Sequence, residues 1–121
     1  MRVVYASESI SLAALEALVH VDPTEAPEDL VVIPVDIPDD MGIAEVTSRG
    51  LPGGWRSSPG PPRLQQLGLN WVRAGKTAVL SVPSVVVPEE RNYLMNPAHP
   101  DFARIRRGKP KPFAIDSRLY G

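Results

Sequence analysis

Three polar side chains stand where the surrounding pattern calls for carbon, and each is of a type that takes part in chemistry. Tyr5 ends the apolar run Val3-Val4-Tyr5, just before a cluster of serines. A ring at such a junction either faces a cleft or rims the core with its hydroxyl satisfied locally. Glu16 interrupts Leu12-Ala13-Ala14-Leu15-Glu16-Ala17-Leu18. At about 100° per residue, Leu12, Leu15, Leu18 and Val19 share an arc of about 120°, and Glu16 lies about 40° beyond its edge. Its carboxylate therefore starts at the border of the core, as a site group or as a solvated flank. Ser84 breaks the apolar run Val82-Pro83-Ser84-Val85-Val86-Val87-Pro88. A serine there also serves the backbone of a bulge, which is a sufficient structural reason for it.

The common alternatives are missing from the chain. It has no cysteine, so disulfides, thiolate zinc sites and cysteine nucleophiles are all excluded. Its two histidines, His20 and His99, fall at no recognisable zinc spacing, and no metal site is expected. There is no P-loop, no Gly-x-Gly-x-x-Gly and no Gly-x-Ser-x-Gly elbow. Asn96 and His99, in Asn96-Pro97-Ala98-His99-Pro100, fit an Asx-type turn better than a ligand set. The basic run Arg104, Arg106, Arg107, Lys109 and Lys111 has no interleaved aromatics and reads as a solvated face rather than a nucleic-acid surface. Trp55 and Trp71 are most economically packing residues.

The elements that must hold these residues are compatible with 121 residues folding as a single domain over 1–121. Apolar residues make up 43% and charged residues 22%, near globular averages. No apolar run approaches the roughly 18 residues that span a bilayer. The start, Met1-Arg2 into Val3-Val4-Tyr5 and then Ser7-Glu8-Ser9, does not read as a secretory leader, so a soluble cytoplasmic domain is expected. The formal net charge of −1 conceals an acidic first half and a basic remainder, meaning a face for an anion or two halves that attract each other.

The pattern predicts an α+β chain. Met1 to Tyr5 reads as a short strand, and Ser7, Ser9 and Ser11 offer caps for a helix from Ser11 to about Val19. Asp22-Pro23 and the acidic stretch to Asp29 should end that unit. Leu30 to Pro38 alternates as a strand whose prolines favour an edge. Residues 39–63 read as a long functional loop, followed by a short helix from about Leu64 to Ala74. Further strand regions are expected over Thr77 to Val87, interrupted at Pro83-Ser84, over Asn92 to Asn96 and over Pro112 to Asp116.

A set of short blocks resembles one family. Val-Val-Tyr-Ala-Ser-Glu-Ser at 3–9 and Leu-Ala-Ala-Leu-Glu-Ala-Leu-Val-His at 12–20 are similar to the RES domain family. So are Leu-Pro-Gly-Gly-Trp at 51–55, Val-Pro-Ser-Val-Val-Val-Pro-Glu-Glu-Arg-Asn at 82–92, Asn-Pro-Ala-His-Pro-Asp-Phe at 96–102 and Phe-Ala-Ile-Asp-Ser-Arg-Leu at 113–119. The blocks run in the family's order along nearly the whole chain. The resemblance implies an ADP-ribosyltransferase-like fold of mixed short-stranded sheets with one prominent N-terminal helix. It implies a bacterial toxin that degrades NAD+ as substrate, by hydrolysis or with phosphate as co-substrate, and is neutralised by an Xre-type antitoxin. No resident cofactor, nucleic acid or membrane partner is implied, and a homo-oligomer is left open. The family's tyrosine, glutamate and serine fall on Tyr5, Glu16 and Ser84, the expected catalytic set, with Ser7 and Asn96 as substrate-binding candidates.

The resemblance also implies roles. Cleaving the nicotinamide–ribose bond develops positive charge on the sugar, which Glu16 at the core border would stabilise. Tyr5 would pack on nicotinamide or ribose, and Ser84 would bond the nicotinamide amide or a group beside it. The pattern departs from the family in two places. The family's arginine lies upstream of the tyrosine in a Gly-Arg-Trp-Asn-like block, and Arg2 does not fill that place; a basic residue of the C-terminal half would have to replace it at the diphosphate, and Arg118 is a candidate by charge only. Leu69 stands where a polar residue is commoner. The alternatives are thus a catalytically impaired domain that binds the antitoxin, or a protein ADP-ribosyltransferase.

Overall fold

The computed structural model describes residues 2–19 and 29–119. In chain order these form β1 (Val4–Ser7), α1 (Ile10–Val19), β2 (Val31–Val32), β3 (Val35–Asp36), β4 (Ile43–Glu45) and α2 (Pro62–Ala74). There follow β5 (Val79–Pro83), β6 (Arg91–Met95), β7 (Arg106–Arg107) and β8 (Lys111–Pro112). Short 3₁₀ turns occupy Ser48–Gly50, Pro100–Arg104 and Ser117–Leu119. The chain is α+β. His20 and the stretch from Asp22 to Glu28 that should end α1 lie outside the described residues, as does Met1.

Four strands make the main sheet, in the order β1-β6-β5-β4. The β1–β6 and β6–β5 pairs are antiparallel, whereas β5 and β4 run parallel. A parallel pair needs a long crossover, and the segment carrying α2 supplies it. Residues opposite one another share a face, so the register sorts the sheet into two sides. Tyr5, Leu94 and Leu80 form one rung, and Ser7, Asn92 and Val82 the next rung on the same side. The alternate residues Ala6, Tyr93, Val79 and Met95 belong to the hydrophobic core with Met41, Ala78, Ile37, Phe102 and Ile105. One face of the sheet is thus committed to the core, and the other carries Tyr5, Ser7 and Asn92.

Local chemistry explains the element boundaries. Helix α1 begins earlier than its leucine pattern suggests, because Ser9 Oγ accepts the Leu12 N–H at 3.1 Å and caps it. Helix α2 starts at Pro62 rather than Leu64, since proline suits the first helical position. It ends at Gly75, which takes φ 61° and donates its N–H to the Trp71 carbonyl. An alanine there would enter the left-handed region at a cost of about 1 kcal/mol. Gly75→Ala should therefore lower the melting temperature by about 3–5 °C in a thermal melt, and an unchanged midpoint would disprove this account of the cap.

Several expected elements differ. The strand over Leu30–Pro38 is two strands of two residues, β2 paired with β8 and β3 paired with β7, because Pro34 has no N–H to continue a ladder. The long loop at 39–63 contains β4, whose three residues are too few to show alternation. The strand region over Thr77–Val87 breaks at Pro83-Ser84 as expected, and no strand resumes over 85–87. Ser84 Oγ then accepts the N–H groups of Val86 and Val87 at 3.1 and 3.0 Å and turns the chain out of the sheet. Of the strand expected over Pro112–Asp116, only Pro112 pairs. In α1 the expected buried stripe reduces to Leu12, while Leu15 and Val19 are 38% and 62% exposed. The helix is apolar nearly all round, so its own pattern exerts little preference and packing beside β1 decides which face turns inward.

Candidate active site

The sheet face that carries Tyr5, Ser7 and Asn92 is not closed by the core. Between it and α1 lies a cleft of about 690 Å³, lined among others by Tyr5, Ser7, Glu16, Val85, Asn92 and Leu94. The sequence brings them together in a simple way. Tyr5 and Ser7 are two apart on β1 and so share a face, and the antiparallel register sets Leu94 and Asn92 beside them. Glu16 stands one helical turn after the buried Leu12, so it is carried over the sheet by the anchor that fixes α1.

The polar groups converge on one carboxylate oxygen. Ser84 Oγ donates to Glu16 Oε1 at 2.7 Å, and Asn92 Nδ2 donates to the same oxygen at 2.8 Å. Ser7 Oγ donates to Asn92 Oδ1 at 2.9 Å, which fixes the orientation of the amide. Three elements thereby determine where Glu16 points, and among the described residues its Oε2 receives no bond. The neighbouring acids are already engaged. Glu8 Oε1 accepts the Arg91 N–H, and Glu90 Oε1 accepts from Ser9 Oγ at 3.2 Å. A carboxylate with one oxygen clamped and the other open, beside a sheet face wide enough for a ring, can stabilise a cation or orient a hydroxyl.

The structure places the sequence candidates unequally. Tyr5, Glu16 and Ser7 line the cleft, and the Tyr5 ring is 72% exposed. Ser84 is fully buried and is not among the residues that line the cleft, and its hydroxyl donates to Glu16 Oε1. Asn96 is not brought to the cleft. It is 4% exposed just beyond the opposite end of β6, where its Oδ1 accepts the Ala98 N–H at 3.0 Å. His99 likewise serves a turn, with Nδ1 accepting the Asp101 N–H. Arg118 is spent on Asp116 through two hydrogen bonds, and its guanidinium holds that carboxyl below the usual carboxylate range. Arg118, a candidate by charge only, is paired locally on the surface and is not among the residues that line the cleft. Trp71 is buried as expected, with Nε1 donating to Thr77 Oγ1 at 3.0 Å.

Asn92 is the site residue that sequence reasoning missed. Alone it reads as the start of a strand. The signal lies in the pairing of two strands far apart in sequence, which sets Asn92 opposite Ser7. Among the described residues no group of three or more His, Asp or Glu is placed to hold a metal ion. No described helix is long and apolar enough to cross a membrane.

Comparison with known proteins gives the arrangement a context. The RES domain model matches residues 1–116. The chain is 40% identical over 119 residues to the Prs ADP-ribosylating toxin of a Sphingobium species, covering 97% of this chain and 74% of that protein. It is 34% identical over 117 residues to Toxin Res of Yersinia enterocolitica, covering 96% and 76%. Toxin Res of Pseudomonas putida is 35% identical over 120 residues, covering 98% and 79%.

Proposed function

Since the chain belongs to the RES domain family, we propose that it is a toxin domain whose cleft breaks the nicotinamide–ribose bond of NAD+. The observation that carries this reading is the clamped carboxylate, Glu16, whose Oε1 is held by Ser84 and Asn92 while Oε2 is open. Heterolysis of that bond leaves the electron pair on nicotinamide and an oxocarbenium-like charge on the ribose. A carboxylate already aimed and partly desolvated stabilises that charge without having to reorganise. Glu16 serves as this electrostatic partner, and its open oxygen suits the 2′-hydroxyl or the incoming acceptor. The exposed Tyr5 ring, one rung from Ser7 on the same face, offers a stacking surface for nicotinamide or ribose. Water as acceptor yields ADP-ribose, nicotinamide and a proton; phosphate yields the ADP-ribosyl phosphate.

A second reading concerns the acceptor alone. The Sphingobium relative bears the name of an ADP-ribosylating toxin, which favours transfer to a protein side chain in place of water. A toxin of this kind requires a neutralising partner, and an Xre-type antitoxin in the same cytoplasm fits the family resemblance. Incubating the purified chain with NAD+, with and without phosphate and with cell protein, separates these readings. Free nicotinamide with free ADP-ribose supports hydrolysis, a phosphate-dependent product supports phosphorolysis, and label on protein supports transfer. No nicotinamide release under any condition would sink the proposal.

Asn92→Ala tests the clamp directly. It removes one donor from Glu16 and leaves the other, so kcat for NAD+ should fall about tenfold with KM little changed. A merely structural asparagine would lower the melting temperature without that split.

A further inference from the structure

Arg56 is a cation beside the cleft that the site described above does not use. It follows a tight turn in which the Trp55 N–H bonds the Pro52 carbonyl at 3.2 Å and the Ser57 N–H bonds the Gly54 carbonyl at 2.9 Å. Gly54 adopts φ 78°, a conformation open to glycine, and a Cβ there would lie 3.3 Å from Ser57 Oγ. The turn delivers Arg56 against the segment that leaves β5. Its Nε donates to the Val85 carbonyl at 3.0 Å, and Val85 lines the cleft.

That single bond fixes the plane of the guanidinium and leaves both terminal nitrogens without an acceptor among the described residues. No described carboxylate comes within 4.0 Å of it, whereas Arg91, Arg104 and Arg118 each pair with an acid. Arg91 is further consumed by Ser81 and the Val46 carbonyl. The cleft is thus electrically polar, with a carboxylate under α1 and an oriented, unpaired guanidinium at the Val85 rim. NAD+ is polar in the matching sense, with a cationic nicotinamide end and an anionic diphosphate. We infer that Arg56 binds the diphosphate of the dinucleotide at the rim of this cleft, an assignment that rests on the proposed NAD+ reading. The remaining N–H groups form the fork that takes two phosphate oxygens at once.

Calorimetric titration of ADP-ribose into the wild-type chain, Arg56→Ala and Arg56→Lys tests this without requiring turnover. Arg56→Ala should weaken ADP-ribose binding about tenfold or more, and Arg56→Lys, which keeps the charge and loses the fork, should fall between. In turnover, Arg56→Ala should raise KM for NAD+ by a similar factor with kcat within about twofold. Nicotinamide riboside, which has no diphosphate, should be affected less than about twofold. Unchanged ADP-ribose affinity in Arg56→Ala, no binding by the wild type, or equal losses for NAD+ and the riboside would each overturn the assignment. Arg56-dependent ADP-ribose binding without nicotinamide release would instead refute the activity and leave the diphosphate role standing.

Discussion

Replacing Glu16 by glutamine (Glu16→Gln) is expected to lower NAD+ consumption by about 10²- to 10³-fold while leaving the fold intact. The magnitude is that of removing one preorganised electrostatic partner from a transition state. The substitution is informative because the clamp survives it. The amide oxygen of the new side chain can still accept from Ser84 Oγ and Asn92 Nδ2, which bond Glu16 Oε1 at 2.7 and 2.8 Å in the native chain. Only the charge and the open oxygen change, since an NH₂ group takes the place of Oε2. The melting temperature should therefore stay within about 3 °C of wild type, because few contacts of the native state are altered. Full nicotinamide release by this variant would show that the carboxylate is not the group that meets the developing cation.

Ser84→Ala should cost both stability and activity. The hydroxyl is fully buried and makes three hydrogen bonds, donating to Glu16 and accepting from the N–H groups of Val86 and Val87. Alanine leaves two backbone donors without their acceptor at the point where the chain leaves β5. Buried unsatisfied groups cost about 1–3 kcal/mol each, less where water can reach them, so a loss of about 2–3 kcal/mol is expected. That corresponds to a melting temperature lower by about 10 °C. Activity should fall as well, because one of the two donors that aim Glu16 is gone. Ser84→Thr, which keeps the oxygen, should recover part of the stability, and a melt of Ser84→Ala identical to wild type would refute the cap. Glu16→Gln and Ser84→Ala thus divide the site, one removing charge without structure and the other removing structure as well as aim.

The candidate set is partly legible in the amino-acid sequence. Glu16 and Ser84 stand out because each interrupts an apolar pattern, where a polar residue must be satisfied by something, and Tyr5 because it ends an apolar strand at the helix cap. What it is satisfied by is a long-range question. Ser84 reads equally as a bulge residue or a ligand, and the structure shows a cap that also reaches Glu16, 68 residues away in sequence. Asn92 carries no local signal, because its role depends on pairing with Ser7 across 85 residues. Arg56 was invisible for the same reason, since its bond to the Val85 carbonyl joins a loop to the segment leaving β5, 29 residues later.

The sequence by itself determined the α+β class, the helix before Val19, the helix that ends at Ala74, the absence of thiol chemistry and the three polar candidates. These follow from composition, helix propensity and capping, which act over a few residues. Tertiary structure alone decided which face of α1 turns inward, that β4 exists, and that Ser84 and Asn92 meet on one oxygen of Glu16. A helix apolar on all sides and a strand of three residues carry too little local preference to settle their own placement. Pairing register and burial against distant segments settle it, and those terms exist only once the chain has folded.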